Sequence, residues 1–153
     1  HMVQAVHPGP HERVLEIGTG SGYGAAILSR LARDVVTVEI RTKLAEEASR
    51  RLLDLSYTNV RVVVGDGSLG WAELAPYDAI VVTAACPSLP PELIEQLADG
   101  GRLVAPEGSL REQELVLAEL TGGRVKSRPI GGVVFVPLRG AAGFAMLDRD
   151  RWN

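Results

Sequence analysis

The chain has 153 residues, enough for one domain with a sizeable core, and 46% hydrophobic with 23% charged residues is ordinary for a globular protein. Its formal charge of −3 supplies no basic footprint for nucleic acid or an anionic membrane, and no apolar run approaches the roughly 18–20 residues that a bilayer span needs. The single Cys86 excludes an internal disulfide, which points to a reducing, cytoplasmic compartment. The leading His1-Met2 reads as a cloning scar, so a single domain over residues 3–153 is expected.

In chain order, Arg13–Ile17 predicts a first strand, because Val14, Leu15 and Ile17 form the nearly continuous apolar run of a parallel strand covered on both faces. Glu16 interrupts that run, and a carboxylate there costs free energy unless something pairs with it. Gly18, Gly20 and Gly22 follow, with Thr19 between the first two. Glycine lets a ligand approach the backbone closely, and N–H groups at a helix terminus then face it. A helix is expected from about Gly22 to Ala32, with Ile27, Leu28 and Leu31 turned inward. Val35–Glu39 reads as the second strand. Thr42 stands where a cap is needed for the next helix, whose Leu44, Ala48, Leu52 and Leu55 recur at helical spacing. On its outer face Glu46 with Arg50 and Glu47 with Arg51 are spaced for favourable pairing along the helix.

Val60–Val64 reads as the third strand, ended by Gly65-Asp66-Gly67, and Tyr77–Thr83 as the fourth. Pro90-Pro91 open a short helix through Leu97, stopped by Gly100-Gly101. Arg102–Ala105 is a fifth strand closed by Pro106. Glu114–Leu120 and Arg124–Arg128 flank Thr121-Gly122-Gly123 as a hairpin, and a last strand, Val133–Val136, stops at Pro137. The alternation predicts an α/β, Rossmann-like, doubly wound and mostly parallel sheet of about seven strands with a C-terminal antiparallel β-hairpin, binding ligands beyond the carboxyl ends of its strands.

The glycine loop reads both as Gly18-x-Gly20-x-Gly22 and as Gly20-x-Gly22-x-x-Ala25, so alone it does not separate a nicotinamide enzyme from a methyltransferase. Glu39, with Ile40 beside it, ends the second strand 21 residues after Gly18, where an acid accepts hydrogen bonds from both ribose hydroxyls. Glu16 favours a ligand with a free amino group or a sulfonium; its other reading is a strand acid paired with a basic side chain. Asp66, between Gly65 and Gly67, is an acceptor for an adenine amino group or, alternatively, the acid of an Asp-Gly turn. Three acids at successive strand ends, with no basic residue in the loop, point to S-adenosylmethionine, and to S-adenosylhomocysteine as its product, rather than to NAD. His7 and His11 lack partners at metal-ligand spacing, so no metal is expected. Cys86 reads as a small buried side chain, Trp71 and Tyr77 as packing under the Gly67 loop, and Phe135 as core.

Val14 to Tyr23 resembles the first motif of the protein-L-isoaspartate O-methyltransferase family. Gly65-Asp66-Gly67-Ser68-Leu69-Gly70-Trp71, running on to Ala75-Pro76-Tyr77-Asp78-Ala79-Ile80, is similar to that family's signature. Val82-Thr83-Ala84-Ala85 with Pro90, and Gly132 to Leu138, resemble it too. The resemblance implies methyl transfer from S-adenosylmethionine to the α-carboxylate of L-isoaspartyl residues in damaged proteins, by a monomer with no nucleic-acid or membrane partner. It implies that Gly18, Gly20 and Gly22 line the methionine part, that Glu39 takes the ribose and that Asp66 with Gly67 contacts adenine. Thr83, Ala84 and Ala85 would lie where methyl donor and peptide meet, and no catalytic residue is assigned. Only twelve residues precede Arg13, and none resembles the family's Thr-Ile-Ser stretch. The expectation is therefore a truncated or naturally short form that keeps cofactor binding and transfers methyl groups poorly. The alternatives are a cofactor-binding module without turnover, another S-adenosylmethionine-dependent methyltransferase acting on a peptide carboxylate, and a nicotinamide dehydrogenase.

Overall fold

In the computed structural model, which describes residues 1–144, the chain builds α1 (Met2–Val6), β1 (Arg13–Ile17), α2 (Tyr23–Ser29), β2 (Asp34–Glu39), α3 (Thr42–Asp54) and β3 (Val60–Val64). β4 (Tyr77–Val82), α4 (Pro91–Glu95), β5 (Leu97–Gly108), β6 (Gln113–Thr121) and β7 (Arg124–Val133) follow. The seven strands form one sheet in the order β3-β2-β1-β4-β5-β6-β7. β1 to β5 run parallel, and β6 and β7 return antiparallel, so the expected sheet with its terminal ribbon is the one observed. The winding reverses at β1, whose neighbours are β2 and β4, and a crevice opens there beyond the carboxyl ends of the strands.

Side-chain alternation along the strands makes the two layers. Val14 shares one face with Val35, Ala79, Val81 and Val104, covered by Val6 of α1, Leu28 of α2 and Leu52 of α3. Leu15 and Ile17 share the other with Val36, Val38, Ile80 and Leu103, covered by Leu93 of α4 and by Trp71. Met2 opens α1 and packs, partly buried, against the first cluster. Residues 145–153, the end of the expected domain, lie outside the described residues.

Several local expectations are corrected. α2 ends at Ser29 rather than Ala32, and its inward face is Ala25 and Leu28; Ile27 and Leu31 are exposed, because the stripe that meets the sheet is narrower than the apolar pattern. Thr42 is the first residue of α3, not its cap: Arg41 holds the cap position and makes no side-chain hydrogen bond. Leu55 lies beyond that helix and is exposed. Neither Glu46–Arg50 nor Glu47–Arg51 closes to an ion pair among the described residues, and Arg51 donates instead to the Ser21 carbonyl. α4 stops at Glu95, and the chain from Leu97 through Gly100-Gly101 and Pro106 is already β5. The last parallel pair with β4 is Val81↔Val104, so the missing N–H of Pro106 interrupts no β4 ladder. Val133–Val136 is not a separate strand: Val133 ends β7 opposite Gln113, the first residue of β6, and no partner strand extends further. Phe135 is half-buried rather than core.

One side chain ties the start of the chain to the sheet. Arg102 of β5 donates to the carbonyls of Val6, of His7 at 2.7 Å and of Asp78 at 3.2 Å, and to Glu12 at 2.7 and 3.0 Å. The Arg102 hydrogen bond holds the Glu12 carboxyl below its ordinary value, against a desolvation that acts the other way. An Arg102→Met change leaves these acceptors without their donor and should lower stability by about 2–3 kcal/mol, read as a shift in a urea melt. Because the Glu12 pKa is depressed on folding, its contribution is present above the ordinary carboxyl range and is lost as pH falls through the folded value. The gap between wild type and variant should therefore narrow in acid.

Candidate functional site

The carboxyl ends of β1, β2 and β4 surround a cavity of about 440 Å³. Its floor is Ile17 and Val38, the last inward-facing residues of β1 and β2 on the α4 side of the sheet. Gly18 leaves the sheet at φ +93°, and a Cβ there would lie 2.4 Å from Thr83 Oγ1, so only glycine makes this exit. The Thr83 hydroxyl sits 2.9 Å from the carbonyls of both Ile17 and Gly18, and its N–H donates to Ile17 at 2.9 Å. Gly20, at φ +52°, has open space where a Cβ would stand.

Glu39 ends β2 and is 7% exposed, with its carboxylate oriented by two backbone donors. The Gly20 N–H reaches Oε2 and the Arg41 N–H reaches Oε1, each at 3.0 Å. Each carboxylate oxygen keeps a further lone pair for a ligand hydroxyl. Ile40, Arg41 and Leu44 complete the wall on this side. Gly67, Thr83 and Ala84 form the base near β4, and Val136, Pro137, Leu138 and Arg139 close the far side.

Of the residues selected from sequence, Gly18, Gly20, Glu39, Ile40, Gly67 and Thr83 thus meet at one cavity, whereas Glu16, Thr19, Gly22, Gly65 and Asp66 do not line it. Glu16 lies on the opposite face of β1 from Ile17, beneath α2, where a Cβ on Gly24 would stand 2.1 Å from its Oε1. It accepts from the Thr37 hydroxyl at 2.6 Å, and Thr37 is in turn bonded to the Thr19 hydroxyl at 2.7 Å. No basic side chain pairs with it among the described residues; its partner is a hydroxyl relay under the loop. Gly22 packs against Leu52 and Ala48 of α3, and Gly65 against the Trp71 ring. Asp66 accepts from Ser68 N–H at 3.0 Å, from the Ser68 hydroxyl at 2.6 Å and from Ala141 N–H at 2.7 Å. Its carboxylate closes a turn and fastens the chain after Arg139, and it does not line the cavity.

Ile17, Val38, Arg41 and Leu44 were not selected from sequence. The first two carried a signal, being the apolar residues directly before the loop and before Glu39. Residues 136–138 lie in the late motif Gly132 to Leu138, with Arg139 directly after it, and only the long-range contacts reveal their place in the wall. Cys86 is buried, donates to the Pro106 carbonyl at 3.3 Å, and burial pushes its thiol up to about 12, so it is a packing residue outside the cavity.

The sheet order, the glycine exit and the strand-end acid define a Rossmann-like methyltransferase fold with a nucleoside-sized crevice. The family model described as protein-L-isoaspartate(D-aspartate) O-methyltransferase matches residues 1–143, and the chain belongs to that family. The protein-L-isoaspartate O-methyltransferase of Methanoculleus marisnigri is 54% identical over 134 residues, 88% of this chain and 61% of the relative. That of Methanoregula boonei is 50% identical over 143 residues, 94% of this chain and 66% of the relative. The chain therefore spans a little under two thirds of these relatives. Among solved structures, a protein-L-isoaspartate O-methyltransferase superposes with a TM-score of 0.86 at 34% identity, covering 93% of this chain and 46% of the other. A Plasmodium falciparum structure described under the same activity, in complex with S-adenosyl-L-homocysteine, shares the fold at 22% identity, with a TM-score of 0.72 over 90% of this chain and 69% of the other.

The buried acid under the loop leaves a measurable trace. Desolvation pushes the Glu16 carboxyl from 4.5 up to about 7; the Thr37 hydrogen bond opposes this and the charge of Glu39 adds to it. The folded state thus holds this proton more tightly than the unfolded chain, so stability falls as pH rises between the two values and is level above them. At 1.36 kcal/mol per unit the loss is about 3 kcal/mol. Glu16→Gln keeps an acceptor for Thr37 and has no proton to lose, so urea melts between about pH 5 and pH 8 should show that slope in the wild type and not in the variant.

Proposed function

We propose that the chain binds S-adenosylmethionine in this cavity and transfers its methyl group to the α-carboxylate of L-isoaspartyl residues in damaged proteins. The observation that carries the reading is Glu39: a carboxylate aimed by Gly20 and Arg41 amides into an apolar crevice at the carboxyl ends of β1 and β2. Membership of the isoaspartate methyltransferase family supports the substrate.

The residues fit the cofactor. A volume of about 440 Å³ suits a nucleoside with a short side chain. Glu39 matches a pair of ribose hydroxyls, and the side chains of Ile17, Val38, Ile40 and Leu44 offer apolar surface to a purine. The loop Gly18–Gly22 contains no basic residue to meet a pyrophosphate, which disfavours a dinucleotide. When bound, S-adenosylmethionine supplies an electrophilic methyl group on a sulfonium.

This chain's own groups bind, orient and exclude water. Gly18 and Gly20 give the ligand access to the backbone, and Glu39 fixes the ribose. Thr83 holds the β1 exit in place, so that Gly18 and Ala84 keep their positions at the base of the cavity. No general base is needed for the attack, because a substrate carboxylate is already ionised at neutral pH. Holding it in line with the methyl group, away from water, is the task left to the protein. The same reading makes the chain a monomer of the cytoplasm, a reducing compartment with which its single Cys86 agrees. No helix among the described residues is long and apolar enough to cross a membrane.

Isothermal titration with S-adenosylhomocysteine should give saturable heat, and the same cell loaded with NAD should not; the reverse result would overturn the cofactor assignment. Glu39→Ala removes the ribose acceptor and should weaken that binding by roughly tenfold or more, from about 1–3 kcal/mol for a hydrogen bond to a charged group. Radiolabelled methyl transfer should favour an isoaspartyl peptide over its aspartyl isomer. Equal labelling of both would show that the substrate is another carboxylate.

A further inference from the structure

The cavity wall opposite Glu39 is not a strand, yet it is held like one. β7 ends at Val133, paired with Gln113 at the start of β6, so the chain beyond it has no strand partner. Gln113 supplies the missing one. This side chain, 5% exposed, accepts the Phe135 N–H at Oε1 (2.6 Å) and donates from Nε2 to the Phe135 carbonyl (3.1 Å). A side-chain amide offers the same donor and acceptor as a peptide group, so a single residue continues the ladder past the end of the sheet.

The next attachment follows at once. Ala85 N–H donates to the Val136 carbonyl at 2.8 Å, and Leu138 N–H donates to the Ala85 carbonyl at 2.7 Å. Ala85 directly follows Thr83 and Ala84, which line the cavity. The segment from Val134 to Leu138 is therefore pinned at one end by a buried glutamine and at the other by the β4 loop. Val134 and Val136 are 80% and 70% exposed, while Phe135 between them is half-buried, and Val136 lines the cavity.

We propose that Gln113 is a positioning residue for the protein substrate: it holds Val134 to Leu138 as the wall against which the isoaspartyl segment lies. The inference rests on the methyltransferase reading above. It separates the two sides of the site, since Glu39 and the glycine loop lie on the β1–β2 side and, among the described residues, the Gln113 side chain bonds only to Phe135 of the opposite wall. Glutamine is specific to the task. Leucine keeps the bulk and loses both bonds, and ionised glutamate keeps the acceptor but turns a charge toward the Phe135 carbonyl.

The test compares wild type, Gln113→Leu and Gln113→Glu by calorimetric binding of S-adenosylhomocysteine, calorimetric binding of an isoaspartyl peptide to that complex, and steady-state methyl transfer. Gln113→Leu should weaken the peptide dissociation constant and raise its KM by about tenfold or more, with kcat changed much less, the pattern of lost substrate binding. The S-adenosylhomocysteine dissociation constant should rise far less than that of the peptide, since the Glu39 carboxylate and its Gly20 and Arg41 donors are untouched, although residues 136–138 border the same cavity. Gln113→Glu should recover toward wild-type peptide binding in mild acid, where the protonated acid donates to the Phe135 carbonyl, and lose it as the pH rises; a structural filler would show no such profile. Unchanged peptide binding in Gln113→Leu, with an active wild type, overturns this inference alone. Parallel losses of peptide and S-adenosylhomocysteine binding also overturn it, because Gln113 would then support the whole site. A wild type that neither binds nor methylates the isoaspartyl peptide overturns the methyltransferase reading itself, and this inference with it.

Discussion

Gly18 is where three demands on the backbone converge. Its N–H donates to the Val38 carbonyl at 2.9 Å, its carbonyl accepts from the Thr83 hydroxyl at 2.9 Å, and its φ of +93° carries the chain out of the sheet. A parallel strand flanked on both sides cannot simply stop, because the next peptide group would leave buried donors and acceptors unmet. Here β2 satisfies the exit from one side and β4 from the other. The crevice exists because those two neighbours are fastened to the turn and not to each other. Everything that follows in the site, from the Gly20 amide on Glu39 to the floor of Ile17 and Val38, is referred to that one exit.

The buried carboxyl of Glu16 belongs to the same construction, on the other side of the sheet. It sits under α2 against Gly24, and its relay through Thr37 ends at Thr19, inside the loop. A polar group in that position is costly unless bonded. The relay meets the cost and, in doing so, connects the loop to the middle of β2. Glu16 and Glu39 thus serve the loop from opposite faces, one from beneath and one from the ligand side.

The strand content was legible because β1, β2, β3 and β4 are short apolar runs, the first three ending at glycine or acid and the fourth opening after Pro76. The site's acids were legible in position but not in direction. Period-two alternation puts Glu16 and Ile17 on opposite faces, but which of those faces carries the cavity is set by the long-range packing. Asp66 was ambiguous for a different reason: an Asp-Gly acid serves a turn or a ligand equally well in sequence, and its partner Ala141 lies far along the chain. Helix ends were the least legible. The apolar pattern of α2 overran the stripe that meets the sheet, and β5 continues through Gly100-Gly101 and Pro106, residues that usually end an element. In each case a long-range contact outweighed the local signal.

The two walls of the cavity differ in how they are specified. The Glu39 wall comes from residues 17–44, which are close in sequence and span four consecutive elements, β1 to α3. The opposite wall is assembled from Thr83, Ala84 and residues 136–139, joined through Ala85 and Gln113. Local segments of the first kind suit a ligand that is the same in every turnover, and the acid and glycines needed for it leave a readable motif. A wall held by main-chain bonds and a single amide carries almost no residue-type signature on its inner surface. That suits a protein substrate, whose reacting group is shared but whose flanking side chains vary, since contacts through the backbone and a few valines discriminate little among them. Because the proposed methyl transfer asks for placement rather than proton transfer, it would depend on groups that hold segments still, and Gln113, which holds residues 134–138, does so without lining the cavity.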